Sequence, residues 1–136
     1  MGTKAESYID TSAFIAALDR SDSFHPLFAK LFSDPPPLLT SSLVIAEGHA
    51  WFLRRYEILK ATQFLNFIEE LEVLKIEAVG PIEIKEAGKF IRKFSDQTLT
   101  LADATGLYFM HRYRIKTCWS TDRHLALTGI GLVIHQ

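Results

Sequence analysis

Four carboxylates spread along the chain, Asp10, Glu47, Asp103 and Asp122, each end or open a segment that a parallel sheet would bring to one rim. Asp10 closes the short apolar stretch Ser7-Tyr8-Ile9, and Asp122 follows Ile115-Lys116-Thr117-Cys118-Trp119. Asp103 lies in the first turn of an apolar helix pattern that begins at Thr100. Glu47 lies one turn into a helix that follows Leu38-Leu39-Thr40. In an open parallel sheet, ligands bind beyond the carboxyl ends of the strands. Carboxylates gathered there repel, so one must take up a proton or the group must neutralise a cation. A hard divalent ion, Mg²⁺ or Mn²⁺, removes the conflict because it prefers carboxylate and water oxygens. One such ion, or a pair about 3.5 to 4 Å apart, lowers the pKa of a bound water and stabilises charge on a phosphodiester undergoing displacement. Acids with no Cys or His at metal-binding spacing argue against zinc.

Each acid also has an ordinary reading. Thr100 followed three positions later by Asp103, ahead of an apolar run, is the signature of a capped helix start. Asp10 and Asp122 can serve as N-caps. Glu47 has no capping duty. The helix around it is apolar nearly all round (Leu43, Val44, Ile45, Ala46, Ala50, Trp51, Phe52, Leu53) and is expected to be buried, where an unpaired carboxylate is costly. Gly48 beside it, about 1 kcal/mol poorer than alanine in a helix, points to close approach of another backbone or of a ligand.

The elements that position these residues follow from apolar spacing. Strands are expected at Ser7 to Ile9, Leu38 to Thr40, Glu72 to Ile76 (an edge strand, since charges alternate with apolar residues), Ile115 to Trp119 and Gly131 to Ile134. Helices are expected at Ala13 to Leu18, around Leu27 to Phe32, from Ser41 or Ser42 to about Tyr56, Ile58 to Leu71, Gly80-Pro81 to Phe94, 100 to 112, and Arg123 to Thr128. Asp34-Pro35-Pro36-Pro37 ends the second helix and stiffens the connection. Alternating strands and helices with short loops imply crossover units. The expected fold is therefore α/β: a three-layer α/β/α, doubly wound, mostly parallel five-stranded sheet.

With 136 residues the chain fits one domain, residues 1–136, with 1–6 a loose N-terminal segment. A net charge of −1 announces no global basic field, so nucleic-acid binding would need a local patch. The single Cys118 rules out an internal disulfide framework and suits a reducing compartment. No apolar run approaches the roughly 20 residues of a membrane helix, and the opening is no signal peptide, so a cytoplasmic location without membrane contact is expected.

Ile9-Asp10-Thr11-Ser12-Ala13, Asp22 with His25 and Ala29, Thr40-Ser41-Ser42-Leu43-Val44-Ile45-Ala46-Glu47, Asp96 with Leu99-Thr100-Leu101-Ala102-Asp103-Ala104, and Ser120-Thr121-Asp122-Arg123-His124 stand in order along the chain. Together they resemble a PIN domain, and are most similar to the VapC toxins of type II toxin–antitoxin pairs. The resemblance implies a doubly wound α/β/α fold and a metal-dependent ribonuclease whose acidic cluster is Asp10, Glu47, Asp103 and Asp122. It further implies Mg²⁺ or Mn²⁺ as cofactor, RNA as substrate, a cognate antitoxin that covers or enters the site, and a homodimer. Ser12 matches a small hydroxyl residue that supports the metal through water, Thr11 beside it is expected to help support the site, and Asp96 matches a further acid of the pattern. The chain departs from that pattern at Leu125, where an aromatic commonly stands, and at Gly48.

Arg54, Arg55, Arg92, Lys93, Arg112, Arg114, Lys116 and Arg123 could line a groove for the RNA backbone; for most of them a solvated helix face is the better reading, whereas Arg123 adjoins Asp122 and is the candidate RNA contact. The histidines, His124 included, share no metal spacing. The aromatics recur at helical spacing and read as core or dimer contacts, with Trp51 and Phe52 as a candidate surface for an antitoxin segment. The competing function is a non-catalytic RNA-binding or signalling module on the same fold. A phosphoacceptor receiver would want a second acid beside the first strand and a Lys at the end of a late strand, where this chain has Thr121-Asp122.

Overall fold

The computed structural model describes residues 4–136. In chain order the elements are β1 (Ser7–Ile9), α1 (Thr11–Leu18), α2 (His25–Leu31), β2 (Leu38–Ser41), α3 (Ser42–Arg55), α4 (Ile58–Glu70), β3 (Leu74–Glu77), α5 (Pro81–Lys93), α6 (Leu101–Tyr113), β4 (Thr117–Trp119) and β5 (Gly131–Leu132). Short 3-10 turns cover Arg123–Ala126 and Val133–His135. The strands form one sheet in the order β3-β2-β1-β4-β5, and every pairing is parallel. β1 is central. The chain winds outward from it through β2 and β3, then returns to lay β4 and β5 on its other side, so the order reverses beside β1, where a doubly wound sheet opens a crevice at its carboxyl edge.

Side-chain alternation on these strands divides the core in two. Ile9, Leu38 and Trp119 pack with Phe14, Phe28, Phe32, Val44, Phe52 and Phe64, which come from α1 to α4 and the α2 end. Tyr8, Leu39, Cys118 and Leu132 pack on the opposite face with Leu107, Phe109 and Met110 of α6 and with Leu125. Helices on both faces make the three layers. β3 is the edge strand expected from its alternating charges, and its Lys75 and Glu77 are ion-paired at 3.3 Å.

Ser41 starts α3 by accepting the Val44 N–H on its hydroxyl, and Arg114, in the left-handed region at φ 56°, ends α6. The expectation that α3 is buried all round does not hold. Only Val44, Gly48 and Phe52 are buried there, Glu47 is exposed, and Leu53 is 43 % exposed. The helix packs against α1, α4 and the sheet on its inner side and has no element outside it, so one stripe suffices. Phe52, offered as an antitoxin contact, is instead fully enclosed against Phe64 and Tyr56. β5 is shorter than expected because Val133 and Ile134 turn into a 3-10 segment. Of the segment 1–6 expected to be loose, 1–3 lie outside the described residues, whereas the Glu6 N–H donates to the Pro37 carbonyl at 2.8 Å. Asp19 closes α1. It is buried and accepts from the Ser21 N–H, the Ser21 hydroxyl and the Tyr56 hydroxyl, the last at 2.8 Å, which ties the end of α1 to the end of α3.

Candidate functional site

Asp10 leaves β1 at the centre of the carboxyl edge and stands at the N-terminus of α1, yet its carboxylate makes no capping hydrogen bond. It is 5 % exposed, and its Oδ2 accepts instead from the Ser12 hydroxyl at 3.0 Å and the Ser120 hydroxyl at 2.9 Å. Ser12 also accepts the Thr121 N–H, and Ser120 accepts the Asp122 N–H, so the two serines lock the ends of β1 and β4 together around that carboxylate. The N-cap reading of Asp10 is thereby excluded. For Asp103 the cap is real: its N–H donates to the Thr100 hydroxyl and its Oδ2 accepts the Thr100 N–H. Asp122 likewise caps the 3-10 turn, its Oδ1 accepting the His124 N–H at 2.9 Å.

Capping is therefore what aims two of these acids at the rim. One ligand atom each from Asp103, Asp122 and His124 lie within 4.8 Å of one another. His124 Nδ1 sits 3.0 Å from Asp122 Oδ1 and 4.0 Å from Asp103 Oδ2. Glu47 reaches the same edge from α3, where its Oε1 accepts the hydroxyl hydrogen of Thr11, the residue after Asp10, at 2.5 Å. Thr11 is buried between the two carboxylates' elements.

The electrostatics agree with that crowding. Burial, with the Asp103 charge adding to it, raises the Asp10 carboxyl above its ordinary range despite the serine hydrogen bonds. Burial and the neighbouring Asp122 raise Asp103 in the same way, against the Thr100 contacts that lower it. Cys118, one residue before Trp119 and fully buried, is pushed well up by desolvation and then by Asp10, Asp122 and Asp103, so it remains a thiol and offers neither nucleophile nor ligand. A cluster whose members resist ionising together has the chemistry of a hard divalent cation site: the charge that a cation supplies is the one the fold lacks.

The structure thus brings Asp10, Glu47, Asp103, Asp122, Thr11 and Ser12 to one rim. Asp96 lies in the loop before α6, exposed, with its carboxylate accepting from Gln97 at 3.4 Å, and no described hydrogen bond joins it to the cluster. Arg123 is exposed next to Asp122. His124 is the residue that spacing missed. Two positions after Asp122, it matches no helical or loop metal pattern, and only the 3-10 turn folds its ring back onto that acid. Ser120, which follows β4 and enters the sequence only as part of the Ser120-Thr121-Asp122 run, proves to hold the Asp10 carboxylate.

The PIN domain family model matches residues 7–130. The chain is 31 % identical over 134 residues to Ribonuclease VapC26 of Mycobacterium tuberculosis, covering 90 % of this chain and 93 % of that one. Among solved structures, VapC20 of Mycobacterium tuberculosis, described as a sarcin-ricin loop cleaving toxin, superposes with a TM-score of 0.83 at 22 % identity, over 91 % of this chain and 95 % of its own. PAE2754 of Pyrobaculum aerophilum superposes at 0.69 and 18 % identity, over 99 % and 94 %. A toxin–antitoxin complex from Klebsiella pneumoniae gives 0.64 and 16 %, over 93 % and 95 %. The family model, matched over most of the chain, and the kinship with Ribonuclease VapC26 lead to one assignment: the chain belongs to the PIN domain family.

Proposed function

We propose that the chain is an endoribonuclease that hydrolyses RNA phosphodiester bonds with a divalent cation, Mg²⁺ or Mn²⁺, and that it is the toxin of a type II toxin–antitoxin pair. The observation that carries the reading is the convergence of Asp10, Glu47, Asp103 and Asp122 on the crevice where the strand order reverses. Kinship with Ribonuclease VapC26 supports the activity, and the fold shared with the VapC20 toxin and with the Klebsiella pneumoniae toxin–antitoxin complex is consistent with the toxin setting.

The donors fit such an ion: three aspartates, a glutamate and supporting hydroxyls, with two of the acids held above their ordinary range by burial. When bound, the ion supplies a water of lowered pKa and a positive charge for the phosphate in displacement. The chain's own residues do the rest. Ser12 and Ser120 fix the orientation of Asp10 through Oδ2. Thr11 holds Glu47 against the rim, and Thr100 sets the Asp103 carboxylate at the start of α6. His124 Nδ1 holds Asp122 Oδ1, and its ring is 16 % exposed, which limits water behind that acid. Arg123 meets the RNA backbone at the entrance.

The apolar side chains left at the surface support protein partners, both an antitoxin and a second copy of the chain. Ile45, Ala46, Leu65 and Ile76 line a shallow apolar groove of about 410 Å³ with His49, while Ile58 is 73 % and Leu59 61 % exposed. No described helix is long and apolar enough to cross a membrane.

The test is cleavage of end-labelled RNA with Mn²⁺ or Mg²⁺, against EDTA. The parent should cut and leave 3′-hydroxyl and 5′-phosphate ends, and Asp10→Asn and Asp103→Asn should lose both cutting and Mn²⁺ uptake while keeping their circular-dichroism spectrum. Asn variants that cut as fast as the parent would overturn the assignment. Metal-independent RNA binding without cutting would favour the non-catalytic module.

A further inference from the structure

α6 begins at the acidic rim and runs away from it, and its next two turns form one wall of a groove of about 640 Å³. Phe90 and Phe94 face it from α5 and its end, Tyr108 and His111 from α6, and Thr128 from the segment after the Arg123–Ala126 turn. All three aromatics are half-buried, leaving part of each ring open to the groove. A second groove of about 370 Å³ shares His111 and Thr128 with the first and adds Arg114 and Lys116. The two meet at His111 and Thr128 and form one track, with the aromatic rings and Lys93 in the first groove and Arg114 and Lys116 in the second. At about 1.5 Å per residue, Tyr108 stands roughly 8 Å along α6 from Asp103, and Arg114 roughly 16 Å.

The charge of this track is not cancelled locally. Glu86 pairs with Lys89 at 3.0 Å, so those two neutralise each other. Lys93, Arg114 and Lys116 are exposed, and among the described residues none has a carboxylate within ion-pair distance. Lys93 Nζ instead lies over the Phe94 ring, 5.4 Å from its centroid. In a chain of net charge −1, three unpaired cations beside open aromatic rings describe a polyanion with flat apolar groups. That is the chemistry of single-stranded nucleic acid, whose bases stack on aromatic faces while a basic groove follows the backbone.

We infer that this track holds the single-stranded RNA that continues from the cleaved phosphodiester, bases stacking on Tyr108 and Phe94 and phosphates meeting Lys93, Arg114 and Lys116. The inference rests on the ribonuclease reading, and it names where that substrate lies. The α5–α6 pair is thus a substrate-binding element rather than only packing for the sheet.

Binding is measured in the full-length Asp10→Asn background, so that nothing is cut, with a fluorescein-labelled single-stranded RNA of mixed sequence, about 12 nucleotides long. Tyr108→Leu, which keeps the apolar packing, should weaken binding about tenfold, the loss of one stacked base. Lys93→Gln with Lys116→Gln should lower the slope of log K against log salt by about 1.4, two phosphate contacts on a single strand. Lys30→Gln on α2 should change neither. The lysine pair is exposed and keeps the test decisive even if Tyr108→Leu proves unstable. If both groove variants bind with the affinity and salt slope of the Asp10→Asn chain, while the parent still cuts RNA with Mn²⁺, the track is wrong and the nuclease reading stands. If the parent neither cuts nor binds the RNA, the nuclease reading falls and takes the track with it.

Discussion

The Thr11 hydroxyl donates to Glu47 Oε1 at 2.5 Å, and this bond joins the first turn of α1 to the second turn of α3. Glu47 is exposed, so burial does not fix it; Thr11 does. Replacing Thr11 by Val keeps the shape and removes the donor. Residues that orient metal ligands typically cost ten- to a hundredfold when removed. Thr11→Val should weaken Mn²⁺ binding in calorimetry about tenfold and lower kcat with it, and Thr11→Ser should restore both. A Val variant with parental Mn²⁺ affinity would detach Glu47 from the cation.

Asp10 and Asp103 are both raised by burial, which fixes the sign of a pH effect. A carboxyl whose folded pKa exceeds its unfolded value binds its proton more tightly in the folded chain. Its contribution to stability is complete below the ordinary carboxylate range and is lost as pH rises through the raised folded value. Asp19 acts oppositely: burial works against its charge, but the Ser21 and Tyr56 hydrogen bonds together hold it below the usual range, so its contribution is lost as pH falls. Comparison with Asp10→Asn cancels Asp19. In EDTA the variant should gain on the parent as pH rises from about 4 to 7, by about 3–5 °C in Tm for each kcal/mol of charge burial relieved. Excess Mn²⁺ should raise the parent's Tm and not the variant's. A constant Tm difference across that range would mean that Asp10 is not strained as a carboxylate.

At Asp122 the cap and the chemistry can be separated. The Oδ1 atom caps the Arg123–Ala126 turn through the His124 N–H, a contact that an amide oxygen can also make. Asp122→Ala should cost about 1 kcal/mol in urea unfolding, the usual worth of an N-cap, and Asp122→Asn only a few tenths. Cleavage should fall in both. Equal stability of the two variants would show that the cap is idle.

The parallel five-stranded sheet and the rim were legible because they follow from apolar spacing and from where acids fall after strands; the strand order, which no spacing encodes, came only with the structure. Asp10, Asp103 and Asp122 are each within a residue or two of an element boundary, and boundaries of a parallel sheet share an edge. His124 was not legible, since its approach to Asp122 depends on a 3-10 turn with no periodic signature. The exposure of Glu47 was misjudged for a related reason: an apolar sequence around a helix says how much could be buried, not how many neighbours exist to bury it. Leu53, Ile58 and Leu59 stay at the surface because α3 and α4 have no further layer outside them.

Gly48 is where sequence reasoning proposed a ligand or a backbone and the fold supplies a ring. A Cβ there would stand 2.6 Å from Phe64 Cζ and 3.1 Å from both Cε atoms. Phe64 cannot retreat: it is fully buried, stacked on Phe52 at 5.6 Å and edge-on to Phe14 at 6.0 Å. Gly48→Ala gains about 1 kcal/mol of helix propensity, but overpacking of this kind costs about 1–3 kcal/mol and a contact this short lies at the upper end. The variant should lose about 1–2 kcal/mol net in urea unfolding. Residues in contact couple, so the same change made in a Phe64→Leu background, where the ring is gone, should cost nothing or stabilise. Because Glu47 is the preceding residue on α3, Mn²⁺ affinity serves as the second reading. Loss of stability with Mn²⁺ affinity kept assigns Gly48 to the α3–α4 contact, whereas loss of Mn²⁺ affinity with stability kept would return it to the site.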